Sequence, residues 1–172
     1  YTLVNNINQN SLIMLDVHLM CNEPLKIINQ YIKAGANLIS IHYEAFKDKA
    51  DLMEALNLIK SNHILAGLAF NPSTPLSQVK IYAHDFDVFL VMSVVPGESG
   101  QKFIPESLDK IKELSLLRKN NNYTYKIEVD GGVNEENVKS IIDAGADIIV
   151  SVSYIFNHEN KEKAVAILKG NI

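Results

Sequence analysis

The sequence predicts an α/β fold in which parallel strands form a barrel wrapped in helices. Three observations carry that prediction. Six short apolar runs recur along the 172 residues with helix-like segments between them, the spacing of strands joined by helical crossovers. A phrase occurs twice, KAGANLIS at 33–40 and DAGADIIV at 143–150, and in each a glycine follows a helix and a strand begins about two residues later. One face of several strands also turns polar toward its C-terminal end. An open doubly wound sheet is covered by helices on both faces and should be apolar on both. A barrel interior can be polar at the C-terminal rim, where barrel active sites lie.

The predicted strands are 12–20 (LIMLDVHLM), 38–44 (LISIHYE), 64–70 (ILAGLAF), 88–94 (VFLVMSV), 126–130 (KIEVD) and 147–153 (DIIVSVS). The helix at 24–34 opens on Pro24, a favourable first-turn residue. The helix at 48–60 sets Leu52, Leu56 and Ile59 on one stripe, and that at 105–119 sets Leu108, Ile111, Leu114 and Leu117. The helix at 134–144 begins with the cap-forming Asn134, and a shorter one covers 161–169. The polar tract 119–124 (KNNNYT) reads as a surface loop. No linker or composition break divides the chain, so residues 1–172 read as one domain.

Composition narrows the function. The formal net charge is -4 and the pI about 5.7, a poor match for nucleic acid or an anionic membrane. The single cysteine, Cys21, allows no internal disulfide and points to a reducing, cytoplasmic home. No apolar run reaches the roughly 18 residues of a membrane span.

Alternation along the strands puts Leu15, Val17 and Leu19 on one face, with Met14, Asp16, His18 and Met20 on the other. Ser40, His42 and Glu44 line up with Leu38, while Glu128 and Asp130 oppose Ile127 and Val129. Several polar residues have structural explanations. Asp16 reads as a hydrogen-bonded core carboxylate, and His42 and Glu44 as partners of each other or of the backbone. Met14, Met20 and Met92 read as core filler, and His63, His84 and His158 as solvated. His18 and Asp130 stand apart. Each falls at the inward C-terminal end of a strand, and together they suit a divalent metal or proton transfer. The loops at 95–101 (VPGESGQ), 131–132 and 151–153 carry the small residues whose N–H groups cradle phosphate.

In order, the phrases LDVHLM, AGANLISIHYEA, AGLAFNPSTP, VFLVMSVVPGESGQKFIPESLDKI, IEVDGGVN, AGADIIV and IFNHEN resemble the ribulose-phosphate 3-epimerase family, including its allulose-6-phosphate relatives. The resemblance covers most of the chain from Leu12 onward. It implies a (β/α)8 TIM barrel with one divalent metal, zinc first and iron, manganese or cobalt as alternatives. It also implies a sugar-phosphate substrate, epimerisation at C3 through an enediolate, and self-association into a homo-oligomer. By the same resemblance, His18 is a metal ligand and Asp130 is both ligand and proton shuttle. Met20 and Met92 border the enediolate. Gly97, Glu98, Ser99, Gly100, Gly131, Gly132, Val152 and Ser153 hold and cover the phosphate end.

The family's other histidine and aspartate lie in a phrase like H-x-D-x-M-D-G, which this sequence does not contain. Tyr1 to Asn10 corresponds to the helix before the DVHLM strand, with Leu3, Val4 and Ile7 as its stripe. Six of eight strands are therefore expected, with the first strand, first helix and second strand absent. Asp16 does not replace the missing aspartate, because the family has an aspartate there beside the histidine. The chain alone is expected to be inactive. Two further departures concern the phosphate end: Glu98 where the family loop reads N-P-G-F-G-G-Q, and Val152 near a Gly-Ser or Gly-Thr grip, since valine does not easily take a positive φ. They motivate an alternative reading, a non-catalytic sugar-phosphate-binding paralogue on the same fold. A Schiff-base aldolase is disfavoured, because Lys126 begins its strand at the wrong end.

Overall fold

The structure, a computed structural model, describes residues 1–97 and 100–170. Six strands, β1 (Asp16–Leu19), β2 (Leu38–His42), β3 (Leu65–Phe70), β4 (Val88–Met92), β5 (Lys126–Asp130) and β6 (Ile148–Val150), form one sheet in chain order, and every pairing is parallel. The helices are α1 (Thr2–Asn10), α2 (Ile28–Ala34), α3 (Lys49–Ser61), α4 (Leu76–Val79), α5 (Ser107–Asn121), α6 (Val138–Ala144), α7 (Ser153–Asn157) and α8 (Lys161–Leu168).

The sheet curls. His18 Nδ1 on β1 lies 3.3 Å from Asp130 Oδ2 on β5. In a flat sheet those strands would stand about 19 Å apart, four spacings of about 4.8 Å. Only an arc of a barrel brings them together, and the six strands form such an arc.

Two apolar clusters divide along the strand faces. Outward residues such as Val17, Ile39, Leu68, Phe89 and Ile127 pack with Leu52 and Ile59 of α3, Ile111 and Leu114 of α5, and Ile141 of α6. The inward cluster is much smaller: Ala69, Leu90, Met92 and Val94. Beside it the inner surface carries polar side chains, His18 on β1, Ser40 and His42 on β2, and Glu128 and Asp130 on β5, with the buried Leu38 and Val88 nearer the N-terminal ends. This is the division that the alternating pattern predicts for a barrel.

The repeated phrase is the same joint used twice. Gly35 and Gly145 end α2 and α6 at φ 94° and 113°. The structure adds a third, less obvious instance in DFDVFL. Asn37, Asp87 and Asp147 each stand one residue before a strand. Their side-chain oxygens accept the N–H of Leu15 at 2.7 Å, Ala66 at 2.8 Å and Ile127 at 2.8 Å. Their own N–H groups donate back to the carbonyls of the same three residues at 2.8–2.9 Å. The N-terminal ends of β1 and β2, β3 and β4, and β5 and β6 are thus clamped in pairs.

Several element boundaries differ from expectation. The first strand starts at Asp16, because Asn37 begins the pairing at Leu15 and the preceding Leu12, Ile13 and Met14 are exposed. The helix expected at 24–34 divides into a 3₁₀ turn, Pro24–Lys26, and α2. That expected at 134–144 begins at Val138, because Asn134 caps the preceding turn through Glu136 N at 2.9 Å. The last strand ends at Val150, since the backbone at Val152 is already helical and leads into α7. Two short helices, α4 and α7, are absent from the sequence-based list. In α1, Val4 and Ile7 are half-buried, but Leu3 is exposed. Among the described residues no helix is long and apolar enough to cross a membrane.

Candidate active site

The C-terminal ends of β4, β5 and β6 surround a cavity of about 670 Å³. Met92 and Asp130 form part of its inner wall, facing each other in register across β4 and β5. Gly97, Gly100, Gly131, Gly132, Val152 and Ser153 line it above, and Met20 reaches in from the end of β1. Nine of the residues expected at the site therefore converge on one cavity. Glu98 and Ser99 lie outside the described residues. His18 does not line the cavity itself but contacts Asp130 directly beneath it.

The turn after β5 is tightly specified. Gly131 and Gly132 have φ of 127° and 65°, a region that side chains rarely tolerate. A Cβ at Gly131 would lie 2.5 Å from a Val94 methyl, and one at Gly132 would lie 2.5 Å from Phe103 N. The buried Ser93 hydroxyl sits between the carbonyls of Asp130 and Gly131 at 3.0 and 2.7 Å, and Asn137 Nδ2 donates to Gly132 O at 3.0 Å. This rigid turn presents small residues to the cavity beside Asp130.

Val152 requires no strain. Its φ is -98°, an ordinary right-handed value, so the expected difficulty with a positive φ does not arise. It caps α7 and leaves Ser153 at that helix's first position. Ser151 ties the segment to the β5 turn by donating to Val133 O at 2.7 Å.

The polar interior extends beyond His18 and Asp130. His18 Nε2 meets His42 Nε2 at 2.8 Å, and His42 Nδ1 meets Glu44 Oε2 at 3.2 Å. Burial alone would raise the Glu44 carboxyl. Instead His42, the Thr74 hydroxyl and Asn71 N–H hold it down at about 2. Burial together with the neighbouring Asp16 carboxylate pushes Glu128 up to about 9. Asp16, expected as a hydrogen-bonded core carboxylate, is exposed, and Glu128 is the buried carboxylate of the two.

Other expectations need correction. Met92 is core, whereas Met14 and Met20 are exposed. His158, expected in solvent, is half-buried and lines the cavity with Tyr154 and Asn157. These three lie around α7, whose existence the sequence pattern did not reveal. Ser93 was also missed, although a serine inside the apolar run VFLVMSVV is a visible anomaly.

The donor atoms suit a metal as far as they go. Two neighbouring ligands on a tetrahedral ion with bonds of about 2.1 Å stand about 3.4 Å apart. His18 Nδ1 and Asp130 Oδ2 are 3.3 Å apart. Among the described residues, no group of three or more His, Cys, Asp or Glu side chains is assembled for a metal, so this pair provides two donors.

The model of the ribulose-phosphate 3-epimerase family matches residues 1–156. The ribulose-phosphate 3-epimerase of Bacillus subtilis is 39% identical over 158 residues, covering 91% of this chain and 71% of that protein. That of Escherichia coli is 40% identical over 158 residues, covering 92% and 69%. That of Aquifex aeolicus is 37% identical over 169 residues, covering 98% and 75%. Among solved structures, 3-hexulose-6-phosphate synthase from Salmonella typhimurium superposes with a TM-score of 0.73 at 15% identity, covering 99% of this chain and 81% of that one. The 3-keto-L-gulonate-6-phosphate decarboxylase from Vibrio cholerae superposes at 0.68 and 12% identity, covering 99% and 77%. These distant likenesses establish the barrel fold alone. The sequence matches go further, and the chain belongs to the ribulose-phosphate 3-epimerase family, a family of isomerases.

Proposed function

We propose that this chain carries the C-terminal-rim portion of an epimerase site that inverts C3 of a ketopentose phosphate, interconverting the ribulose 5-phosphate and xylulose 5-phosphate type. The observation that carries the reading is the placement of Asp130. Its carboxylate faces the cavity between Met92 and the glycine turn and touches His18 from within.

The proton at C3 is acidic because it lies α to a carbonyl. Asp130 takes or returns that proton on one face of the planar enediolate. Met20 and Met92 border the plane with apolar, polarizable surface that excludes water. The N–H groups of the glycine turn and of Ser153 bind the phosphate, and the Ser93 and Asn137 contacts keep that turn in place. His18 Nδ1 and Asp130 Oδ2 would hold one divalent ion, with zinc the first candidate. When bound, the ion supplies Lewis-acid stabilisation of the negative charge that develops beside the carbonyl.

Epimerisation also needs an acid/base group on the opposite face. Asp130 is the only carboxylate lining the cavity among the described residues. The 172 residues by themselves are therefore proposed to be inactive. The reading puts the reaction in the cytoplasm, where the single cysteine stays reduced.

The test is exchange of the C3 proton with solvent deuterium in ribulose 5-phosphate. These residues preceded by the family's first strand, first helix and second strand should exchange it, and the 172 residues alone should not. Asp130→Asn in that extended protein should lower exchange 10²–10⁴-fold while leaving phosphate binding. Full exchange by the Asp130→Asn protein would overturn the assignment. Exchange by the 172 residues would overturn their proposed inactivity.

A further inference from the structure

Asp130, His18, His42 and Glu44 form one line across the barrel interior. The two imidazole centroids are 4.9 Å apart with planes within 17°, and the two Nε2 atoms are 2.8 Å apart. The rings therefore meet edge to edge in nearly one plane, the geometry of an N–H···N bond. Glu44 is anchored from behind. Its Oε1 accepts the Asn71 N–H at 2.8 Å and the Thr74 hydroxyl. The loop bearing those donors is closed by Lys110 of α5, whose Nζ donates to the carbonyls of Pro72 at 2.6 Å and Thr74 at 2.7 Å.

The array has a directional proton count. Glu44 is held as a carboxylate, so it accepts the His42 Nδ1–H. With His42 in its neutral form, its Nε2 is an acceptor and His18 gives it an Nε2–H. His18 Nδ1 is left with a bare lone pair facing Asp130 Oδ2 at 3.3 Å. A cation between them, either a proton on Nδ1 or a metal ion, completes the contact. Two protons and one cation complete the line, with no acceptor facing another acceptor.

We propose that His42 and Glu44 are positioning residues that fix the His18 tautomer and aim its Nδ1 lone pair at a divalent ion shared with Asp130. This inference rests on the assignment of His18 and Asp130 as donors. Outer partners of metal-ligating histidines typically change metal affinity 10- to 100-fold when removed.

The experiment is zinc affinity of this protein, alone and preceded by the family's first two strands, measured by competition with a chromophoric chelator. His42→Leu should weaken binding 10- to 100-fold. His42→Gln, whose amide oxygen can accept the His18 Nε2–H, should recover most of that loss. Glu44→Ala should weaken binding less than His42→Leu. Long-range proton–nitrogen NMR of the metal-free wild-type protein should already place the His18 proton on Nε2. That measurement decides the matter even if His42→Leu does not fold. Zinc binding unchanged in His42→Leu, or a His18 proton on Nδ1, would overturn the positioning role. Zinc affinity unchanged in both His18→Ala and Asp130→Ala would instead overturn the underlying metal assignment.

Discussion

The two ends of the sheet use similar side chains under opposite conditions. At the N-terminal end, Asn37, Asp87 and Asp147 each accept a backbone N–H and stand among fixed partners. Lys60 lies 3.3 Å from Asp87, and Asp147 pairs with Arg118 and Lys126. At the C-terminal end, Asp130 faces an open cavity and a histidine nitrogen. The clamps leave their acceptors matched, whereas Asp130 has one histidine nitrogen on one side and the open cavity on the other. A polar group's role here follows from whether its partners are complete. This matches the general division of barrels into a stabilising N-terminal face and a reactive C-terminal face.

The largest expected effect separates the two ends outright. In the protein preceded by the family's first two strands, Asp130→Asn should lower kcat by 10²–10⁴-fold, the usual contribution of a positioned acid/base group, while thermal unfolding moves little. Asp147→Ala should do the reverse. It strands the Ile127 N–H, leaves the Arg118 guanidinium only the Tyr125 and Gly145 carbonyls, and should cost about 2–3 kcal/mol, with kcat unchanged in the folded fraction. Denaturant unfolding beside steady-state kinetics checks both. If Asp147→Ala lost activity without losing stability, the division would fail.

The clamp at Asp147 also has a pH signature. Burial pushes its carboxyl up, but the Ile127 N–H, Arg118 and Lys126 outweigh burial and hold it below the ordinary carboxylate value. A carboxyl whose pKa is depressed in the folded state contributes stability above its unfolded value and loses it as pH falls through the folded value. Acid unfolding of the wild-type protein should therefore be steeper than that of Asp147→Asn below about pH 4. Coincident acid limbs would show that Asp147 is not a source of this stability.

Much of this contrast was legible in the sequence, for reasons that differ between regions. Alternation in DVHLM and KIEVD identified the inward His18 and Asp130, because strand periodicity depends on backbone geometry alone. The repeat KAGANLIS/DAGADIIV showed two of the three joints. The third was hidden because Asp87 follows a 3₁₀ turn (Lys80–Tyr82) rather than a glycine-ended helix. His42 and Glu44 were visible as a pair, but not their link to His18, which depends on side-chain reach between β1 and β2. Tyr154, Asn157 and His158 were unreadable as site residues, because five-residue α7 is too short to show a helical period.

Gly132→Ala probes the reactive end through the backbone instead of the acid. Its φ of 65° and the 2.5 Å approach to Phe103 N mean that a methyl must displace the adjoining loop. A strained left-handed position of this kind costs about 1–3 kcal/mol. The turn would shift away from the phosphate, so KM should rise more than kcat falls. An unchanged KM would show that this turn does not hold substrate.

The smallest effect should come from Asn37→Ala. Asn37 makes the same bond as Asp147, to Leu15 N at 2.7 Å, but it is neutral. Removing a neutral acceptor should cost about 1 kcal/mol, well below the loss at Asp147, whose hydrogen bonds involve a charged group. The two substitutions therefore divide the clamp's contribution into a shared backbone bond and an added charge. Equal losses in denaturant unfolding would mean that Arg118 and Lys126 add nothing to the Asp147 clamp. A larger loss at Asn37 would place the critical joint at β1 and β2, beneath His18, and would tie the stability of the N-terminal end directly to the line of histidines above it.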